Sequence, residues 1–451
     1  MRSMSAKSSP SRGIRLKSSD PGRRFAVAFD VGTTTIAASL VDTGRGARVA
    51  MAGGLNPQRE FGPDVLSRLE AACRSAENLQ RMMRLVNGEL QRLTGELLST
   101  AGIRMEAVEK IAIAGNPAME HFLLGLPVTS LAFPPYRPLF TSGRAINAST
   151  LGWDANVNAF VFPLPGGFVG GDLVAFLYGQ GHGSWVMGHG ISHPSPLTPH
   201  PSRLFLDLGT NGELALMAGG KIYATSAAAG PAFEGGNLSC GMAALPGAIS
   251  GVEFTGDRVT VTVIGGESPI GVCGSGVITA VAGLLRSGIL DCTGRLLRPT
   301  EISSNLANQV NEIDGETAFV LYRDAQRAVY LTQEDIRQVQ LAKAAVRSGM
   351  EVLFERAGVP RDSLQEVILT GSFGSILPLE SLKNVGIFSE KMVKIACFVR
   401  EGALSGVENA LCDSHGFEAV DRLATSIRVI PLSGNPAFEK HFLEQMNFPD
   451  S

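Results

Sequence analysis

Phe25–Ser39 reads Phe-Ala-Val-Ala-Phe-Asp-Val-Gly-Thr-Thr-Thr-Ile-Ala-Ala-Ser, and Leu204–Met217 reads Leu-Phe-Leu-Asp-Leu-Gly-Thr-Asn-Gly-Glu-Leu-Ala-Leu-Met. Both follow one plan: an apolar run ending in aspartate, one apolar residue, Gly-Thr, a short turn and a second apolar run. Apolar runs on either side of a glycine turn predict strand, turn, strand. A pattern that returns within one chain predicts a repeated structural unit. The expectation is two related lobes, each opening with the same hairpin.

Such a hairpin has definite chemistry. Gly32, Gly209 and Gly212 let the backbone approach an anion with no Cβ in the way. The backbone N–H groups and side chains of Thr33, Thr34, Thr35, Thr210 and Asn211 offer donors to phosphate oxygens. Asp30 and Asp207, at the strand ends, suit Mg²⁺ held through water, and they are the catalytic candidates that orient an attacking water. One such hairpin is also what an ordinary strand-turn-strand looks like. Two of them facing across a cleft would grip phosphates from both sides. A third element, Gly371-Ser372-Phe373-Gly374 after an apolar strand, suits a base and ribose lying on bare backbone; its plainer reading is a strand-to-helix turn. Gly274 and Ser275, opening an apolar helix, and Glu213 complete the cofactor-binding candidates. Glu234, in Pro-Ala-Phe-Glu-Gly, either reaches ribose or water as a third catalytic carboxylate or caps the following turn.

Organisation follows from composition. Residues 1–24 carry seven Lys/Arg against one Asp and no apolar segment, which predicts a disordered basic tail. Residues 25–180 form the first lobe and 203–412 the second, with a strand-helix unit at 413–451. Between the lobes, 181–202 holds four of the seven histidines among Gly, Ser and Pro, and reads as a flexible loop. Helical periodicity runs from Pro63 to Thr100, and a helix is expected over Gly167–Gly179. Gly115-Asn-Pro and Gly434-Asn-Pro both read as helix starts. The net charge of −3 gives no electrostatic case for nucleic acid or an anionic membrane. No apolar run is long enough to span a bilayer. The six cysteines include no CxxC pair. They read as scattered reduced thiols of a cytoplasmic protein, with no iron–sulfur cluster in this chain.

The order of the three elements resembles the acetate and sugar kinase/heat-shock/actin superfamily, with phosphate-1, phosphate-2 and adenosine motifs. That resemblance implies an α/β fold: a two-lobed actin-like ATPase with duplicated ribonuclease H-like lobes, mixed sheets and a nucleotide cleft between them. Local wording is similar to one branch. Phe29-Asp-Val-Gly-Thr-Thr-Thr-Ile-Ala, Leu55-Asn-Pro-Gln, Phe61-Gly-Pro-Asp-Val-Leu-Ser-Arg, Gly115-Asn-Pro-Ala-Met, Asp207-Leu-Gly-Thr-Asn-Gly-Glu, Ala229-Gly-Pro-Ala-Phe-Glu-Gly, Gly271-Val-Cys-Gly-Ser-Gly and Gly371-Ser-Phe-Gly resemble the C-terminal ATPase domain of reductive activators of corrinoid enzymes. The resemblance spans about Phe25 to Pro449. It implies ATP and Mg²⁺ as cofactors, a corrinoid protein as partner, restoration of cob(II)alamin to cob(I)alamin, and a homodimer. The family's N-terminal ferredoxin-like domain, with its Cys-x4-Cys-x2-Cys run, has no counterpart in this sequence. The expected electron source is therefore a separate ferredoxin-like protein. Two rival readings share the fold. A small-molecule kinase would use Asp172 or Glu234 on a substrate hydroxyl. A non-catalytic nucleotide-dependent assembly module would use the cleft as a switch. The activators of 2-hydroxyacyl-CoA dehydratases also belong to the superfamily, but they need cysteines bridging a cluster between subunits.

Overall fold

The computed structural model describes residues 23–182, 201–371 and 377–450. The basic tail up to residue 22, most of the histidine-rich loop, and Ser372, Phe373 and Gly374 lie outside the described residues.

The first hairpin is β1 (Phe25–Val31) and β2 (Thr35–Asp42), antiparallel from Phe25 opposite Asp42 to Val31 opposite Ile36. With β3 (Ala47–Leu55), β4 (Val108–Gly115), β5 (Arg144–Asn147) and β6 (Asn158–Val161) it forms a six-stranded sheet in the order β3-β2-β1-β4-β6-β5. Alternation decides the two faces of β1. Val27 and Phe29 point to a core filled by Leu79, Met82, Val86, Leu90, Leu93 and Leu97 of the helix Ala76–Ala101. These residues recur at three- and four-residue steps, and burying each contributes roughly 1.5–3 kcal/mol. Ala26 and Ala28 point the other way, where small side chains admit helices close to the sheet.

The second lobe repeats this order. The hairpin β7 (Ser202–Leu208) and β8 (Gly212–Ala218) continues into β9 (Lys221–Ala227). Two three-stranded sheets follow: β10 (Ala248–Thr255), β11 (Arg258–Val263) and β12 (Gly271–Val272), then β13 (Val310–Ile313), β14 (Glu316–Arg323) and β15 (Ala328–Thr332). The main sheet closes with β16 (Leu364–Thr370), β17 (Ala396–Phe398) and β18 (Ile427–Val429), in the order β17-β16-β7-β8-β9-β18. From β9 to β17 this is the first sheet again: an antiparallel meander, then parallel strands beside its first strand. The two related lobes expected from the hairpins, and the mixed sheets that the family resemblance implied, make up the fold observed.

Two helices run between the sheets, Gly171–Leu177 and Gly402–Cys412. One cluster of buried residues joins Ala26, Ala28, Ala112 and Ala114 of the first sheet to Phe205, Ala215 and Ala224 of the second through Phe176, Leu404 and Val407. The helices meet at Gly406, where a Cβ would lie 1.7 Å from the Ala175 carbonyl oxygen.

Two expectations needed correction. The helix over Gly167–Gly179 starts only at Gly171, after an extended Gly170. A Cβ at Gly167 would fall 1.6 Å from the Tyr136 carbonyl oxygen, so the preceding glycines serve close packing. The periodicity from Pro63 to Thr100 breaks into Val65–Arg74 and Ala76–Ala101 at an extended Ser75. The Ser75 Oγ accepts from the Glu77 and Asn78 N–H groups and caps the second helix.

Candidate active site

The turns of the two hairpins face each other across a cleft of about 390 Å³. At Gly32 a Cβ would sit 2.7 Å from the Thr35 carbonyl oxygen, so only glycine makes this turn without strain. Asn56 fastens it from β3's end: its Nδ2 donates to the Gly32 carbonyl at 2.9 Å and its backbone N–H to the Thr34 carbonyl at 2.9 Å. Asn116 adds a third tie, with Nδ2 donating to Thr33 Oγ1 at 3.0 Å.

Glu234 joins the hairpins. Its Oε2 accepts from Thr34 Oγ1 of the first lobe at 3.2 Å and also from Thr210 Oγ1 of the second. It stands on the short turn Pro231–Glu234, and Gly274 lies directly beneath, where a Cβ would be 1.6 Å from the Phe233 carbonyl oxygen.

The cleft is strongly acidic. Asp30 and Asp207 keep part of their surface open to it, yet protein surrounds them closely. Burial, then Asp172 and Glu401, push the Asp30 carboxyl up to about 7. Burial raises Asp172 to about 6, against the pull of the Leu173 N–H that donates to its Oδ1 at 2.8 Å. Burial, with Asp30, Asp172 and Glu234, holds Asp207 well above the usual carboxylate range. Glu213 is raised by burial and by Asp172 and Asp207. Glu234 is raised by burial, and the Thr210 and Thr34 hydroxyls partly restrain it. Like charges crowded out of water favour a proton or a cation. Among the described residues lining the cleft, Arg400 is the one basic side chain. This donor set therefore fits a hydrated divalent cation at Asp30 and Asp207, and the opposed N–H and hydroxyl groups fit the phosphates it would accompany.

The predicted residues divide by position. Asp30, Gly32, Thr33, Thr34, Thr35, Asp207, Gly209, Thr210, Asn211, Glu213, Glu234 and Gly371 all line the cleft. Gly212 lies behind the turn, where a Cβ would meet Val346 at 2.9 Å. Gly274 and Ser275 stand off the cleft wall. Ser275 is fully buried and donates to the Ser250 carbonyl at 2.8 Å. Ser372, Phe373 and Gly374 lie outside the described residues.

The cleft also gathers residues given no nucleotide role from sequence: Asn116, Asp172, Thr370, Arg400, Glu401 and Gly402. Thr370 Oγ1 accepts from the Gly402 N–H at 3.1 Å and so steadies the start of the inter-sheet helix. Glu401 takes a left-handed backbone (φ 52°), and Arg48 of β3 holds its carboxylate at 2.6 Å across the lobes. The Gly-Gly-Asp at a helix start was a legible signal for Asp172. Asn116 was legible as a helix start in Gly115-Asn-Pro, and Thr370, Arg400, Glu401 and Gly402 carry no local signal.

Duplicated lobes, paired glycine-turn hairpins and an acidic cleft between them define the actin-like class of two-lobed proteins. Residues 202–451 match the family model described as the C-terminal domain of RACo, the ASKHA domain, and residues 25–182 match the RACo middle region. The chain belongs to the RACo family. It is 28% identical over 438 residues to the corrinoid activation enzyme RamQ of Eubacterium limosum, covering 95% of this chain and 71% of that protein. It is 23% identical over 408 residues to the Co(II) methylated amine-specific corrinoid protein reductase of Methanosarcina barkeri, covering 82% and 67%. A solved structure, the reductive activator for corrinoid,iron-sulfur protein, matches with a TM-score of 0.84 and 26% identity, covering 96% of this chain and 67% of that one. No helix among the described residues is long and apolar enough to cross a membrane.

Proposed function

We propose that this chain binds and hydrolyses ATP between its lobes and uses that cycle to drive reductive activation of a corrinoid protein. The observation that carries the reading is the seam at Glu234, where hydroxyls from both phosphate hairpins meet on one carboxylate oxygen. The corrinoid partner is supported by the names of the three relatives above: a corrinoid activation enzyme, a corrinoid protein reductase and a reductive activator for a corrinoid,iron-sulfur protein.

In this reading the hydroxyls of Thr33, Thr34, Thr35 and Thr210, with Asn211, donate to the phosphates. Gly32 and Gly209 keep the backbone close. Gly371, with Ser372, Phe373 and Gly374, frames the adenosine. Asp30 and Asp207 would hold Mg²⁺ through water; when bound, the ion neutralises charge on the phosphates. Asp172, raised to about 6, accepts a proton from the attacking water as general base. Glu234 orients that water once nucleotide parts it from the threonines. Phosphoryl transfer asks for positioning and charge rather than a covalent nucleophile.

Closure of the lobes on nucleotide then alters the surface offered to the partner. Shifting a two-state equilibrium from 1:99 to 99:1 takes about 5.5 kcal/mol of differential binding, within reach of phosphate contacts. One electron from a separate ferredoxin-like protein converts cob(II)alamin to cob(I)alamin. The six cysteines of this sequence include no set at cluster spacing to carry it. We assign a homodimer as the working assembly.

The test is an anaerobic absorbance assay with corrinoid protein, ATP and a low-potential reductant, with and without ferredoxin. ATP-dependent formation of cob(I)alamin is expected only when an electron source is present. If no reductant supports it, and the corrinoid protein binds in no nucleotide state, the activator reading is wrong.

A further inference from the structure

We infer that Asn116 is a positioning residue that sets the Thr33 hydroxyl to donate into the cleft; this rests on the nucleotide reading above. The Gly115-Asn-Pro motif ends β4 and begins the helix Pro117–Leu124. Asn116 caps that helix, its Oδ1 accepting from the Met119 N–H at 3.1 Å. The cap decides which end of the amide faces where. A backbone N–H must meet the oxygen, so Nδ2 is the atom that faces Thr33 Oγ1, at 3.0 Å. A hydroxyl that accepts an amide N–H keeps its own hydrogen directed elsewhere. Thr33 is 7% exposed and lines the cleft, so that hydrogen is left for an acceptor there.

Two other hydroxyls of the hairpin turns behave differently. Thr34 and Thr210 spend their hydrogens on Glu234. Unlike them, the buried Thr33 hydroxyl is held by Asn116 and kept ready for an incoming anion. Capping alone does not demand this arrangement. Asn435, in the second Gly-Asn-Pro, also caps its helix, accepting from the Ala437 N–H at 3.0 Å, but its Nδ2 goes to the Pro431 carbonyl at 3.2 Å. The approach itself depends on Gly115, whose Cβ would lie 2.9 Å from the Val31 carbonyl oxygen.

The experiment is calorimetric titration of the full chain with ATP and Mg²⁺. The variants are Asn116→Ser, Thr33→Val, the double variant, and Asn435→Ser as a capping control. Serine keeps a cap oxygen but is too short to bridge to Thr33. Each single change at the site should weaken ATP binding about tenfold, the size of one hydrogen bond to a charged acceptor. The double variant should be no weaker than Thr33→Val, because both changes remove the same donor. Asn435→Ser should bind ATP as the natural chain does, and the thermal midpoint of Asn116→Ser should fall no further than that of Asn435→Ser. Wild-type affinity in Asn116→Ser, or a double variant whose loss is the sum of the two, overturns the inference alone. A natural chain that binds no ATP overturns the nucleotide reading and this inference with it.

Discussion

Asp30 and Asp207 end equivalent strands, and the sheets bring them together with Asp172 in one cleft. Positioned polar groups at a phosphoryl centre are typically worth 10²–10³-fold. Asp207→Asn should therefore lower ATP turnover by about 10²-fold while ATP binding persists. Steady-state phosphate release checks it, and turnover within a few-fold of the natural chain would remove Asp207 from the mechanism. Titration offers a second probe. Asp30 is pushed up from 3.8 to about 7, so between those values the folded chain binds a proton that the unfolded chain has released. Stability contributed at this site consequently falls as pH rises through that window and stays low above it. Asp30→Asn removes the penalty: it should raise the thermal midpoint at pH 8 and leave it nearly unchanged at pH 4. Differential scanning fluorimetry at the two values reads this directly; an equal shift at both would show that the carboxylate is not destabilised by its burial beside Asp172 and Glu401.

The turn Pro231–Glu234 shows how an element sets a side chain it does not touch. Gly274 opens a buried helix under this turn, and its missing Cβ lets the helix start come against the Phe233 carbonyl. Gly274→Ala must lift the turn and with it Glu234. Displacements of about 1 Å at a reacting centre cost about 10²-fold. Turnover should drop by that order while the far-ultraviolet circular dichroism stays that of the natural chain. Unchanged turnover would mean that the position of Glu234 is immaterial. Elements of this kind were readable in proportion to how local their signals are. The hairpins, the helix Ala76–Ala101 and the Asn-Pro helix starts announce themselves through periodicity, turn glycines and caps. The meander β13–β15 passed unpredicted. Its strands alternate weakly, with exposed Glu316 and Arg323 at the ends of β14, and its apolar residues gain meaning only by packing against Leu306 and Ile336.

The two lobes are joined by a continuous core rather than by a bare linker. Where the inter-sheet helices cross, Gly406 meets the backbone of Ala175, and neither side has a flexible side chain to yield. Gly406→Ala should cost roughly 1–3 kcal/mol, the usual range for overpacking. The urea midpoint should fall accordingly, and ATP affinity should weaken too, because the same helix brings Gly402 and Ala403 to the cleft. A variant with the natural midpoint would mean that the crossing can open at no cost. Arg48 strengthens the junction from outside, holding Glu401 at 2.6 Å and Glu408 at 2.7 Å.

The amino-acid sequence by itself determined the repeated hairpins, the bare turns at Gly32 and Gly209, and hence the two-lobed class. These depend on periodicity and backbone freedom, which act over a few residues. The folded chain alone decided which groups meet. Thr34 and Glu234 lie 200 residues apart along the chain and share one hydrogen bond. Asn116 reaches Thr33 across 83 residues. Asp172 joins Asp30 and Asp207 only because the helix Gly171–Leu177 is held between the sheets. Such contacts follow from how two sheets and their helices pack, and burial then shifts each carboxyl. No window of neighbouring residues contains either.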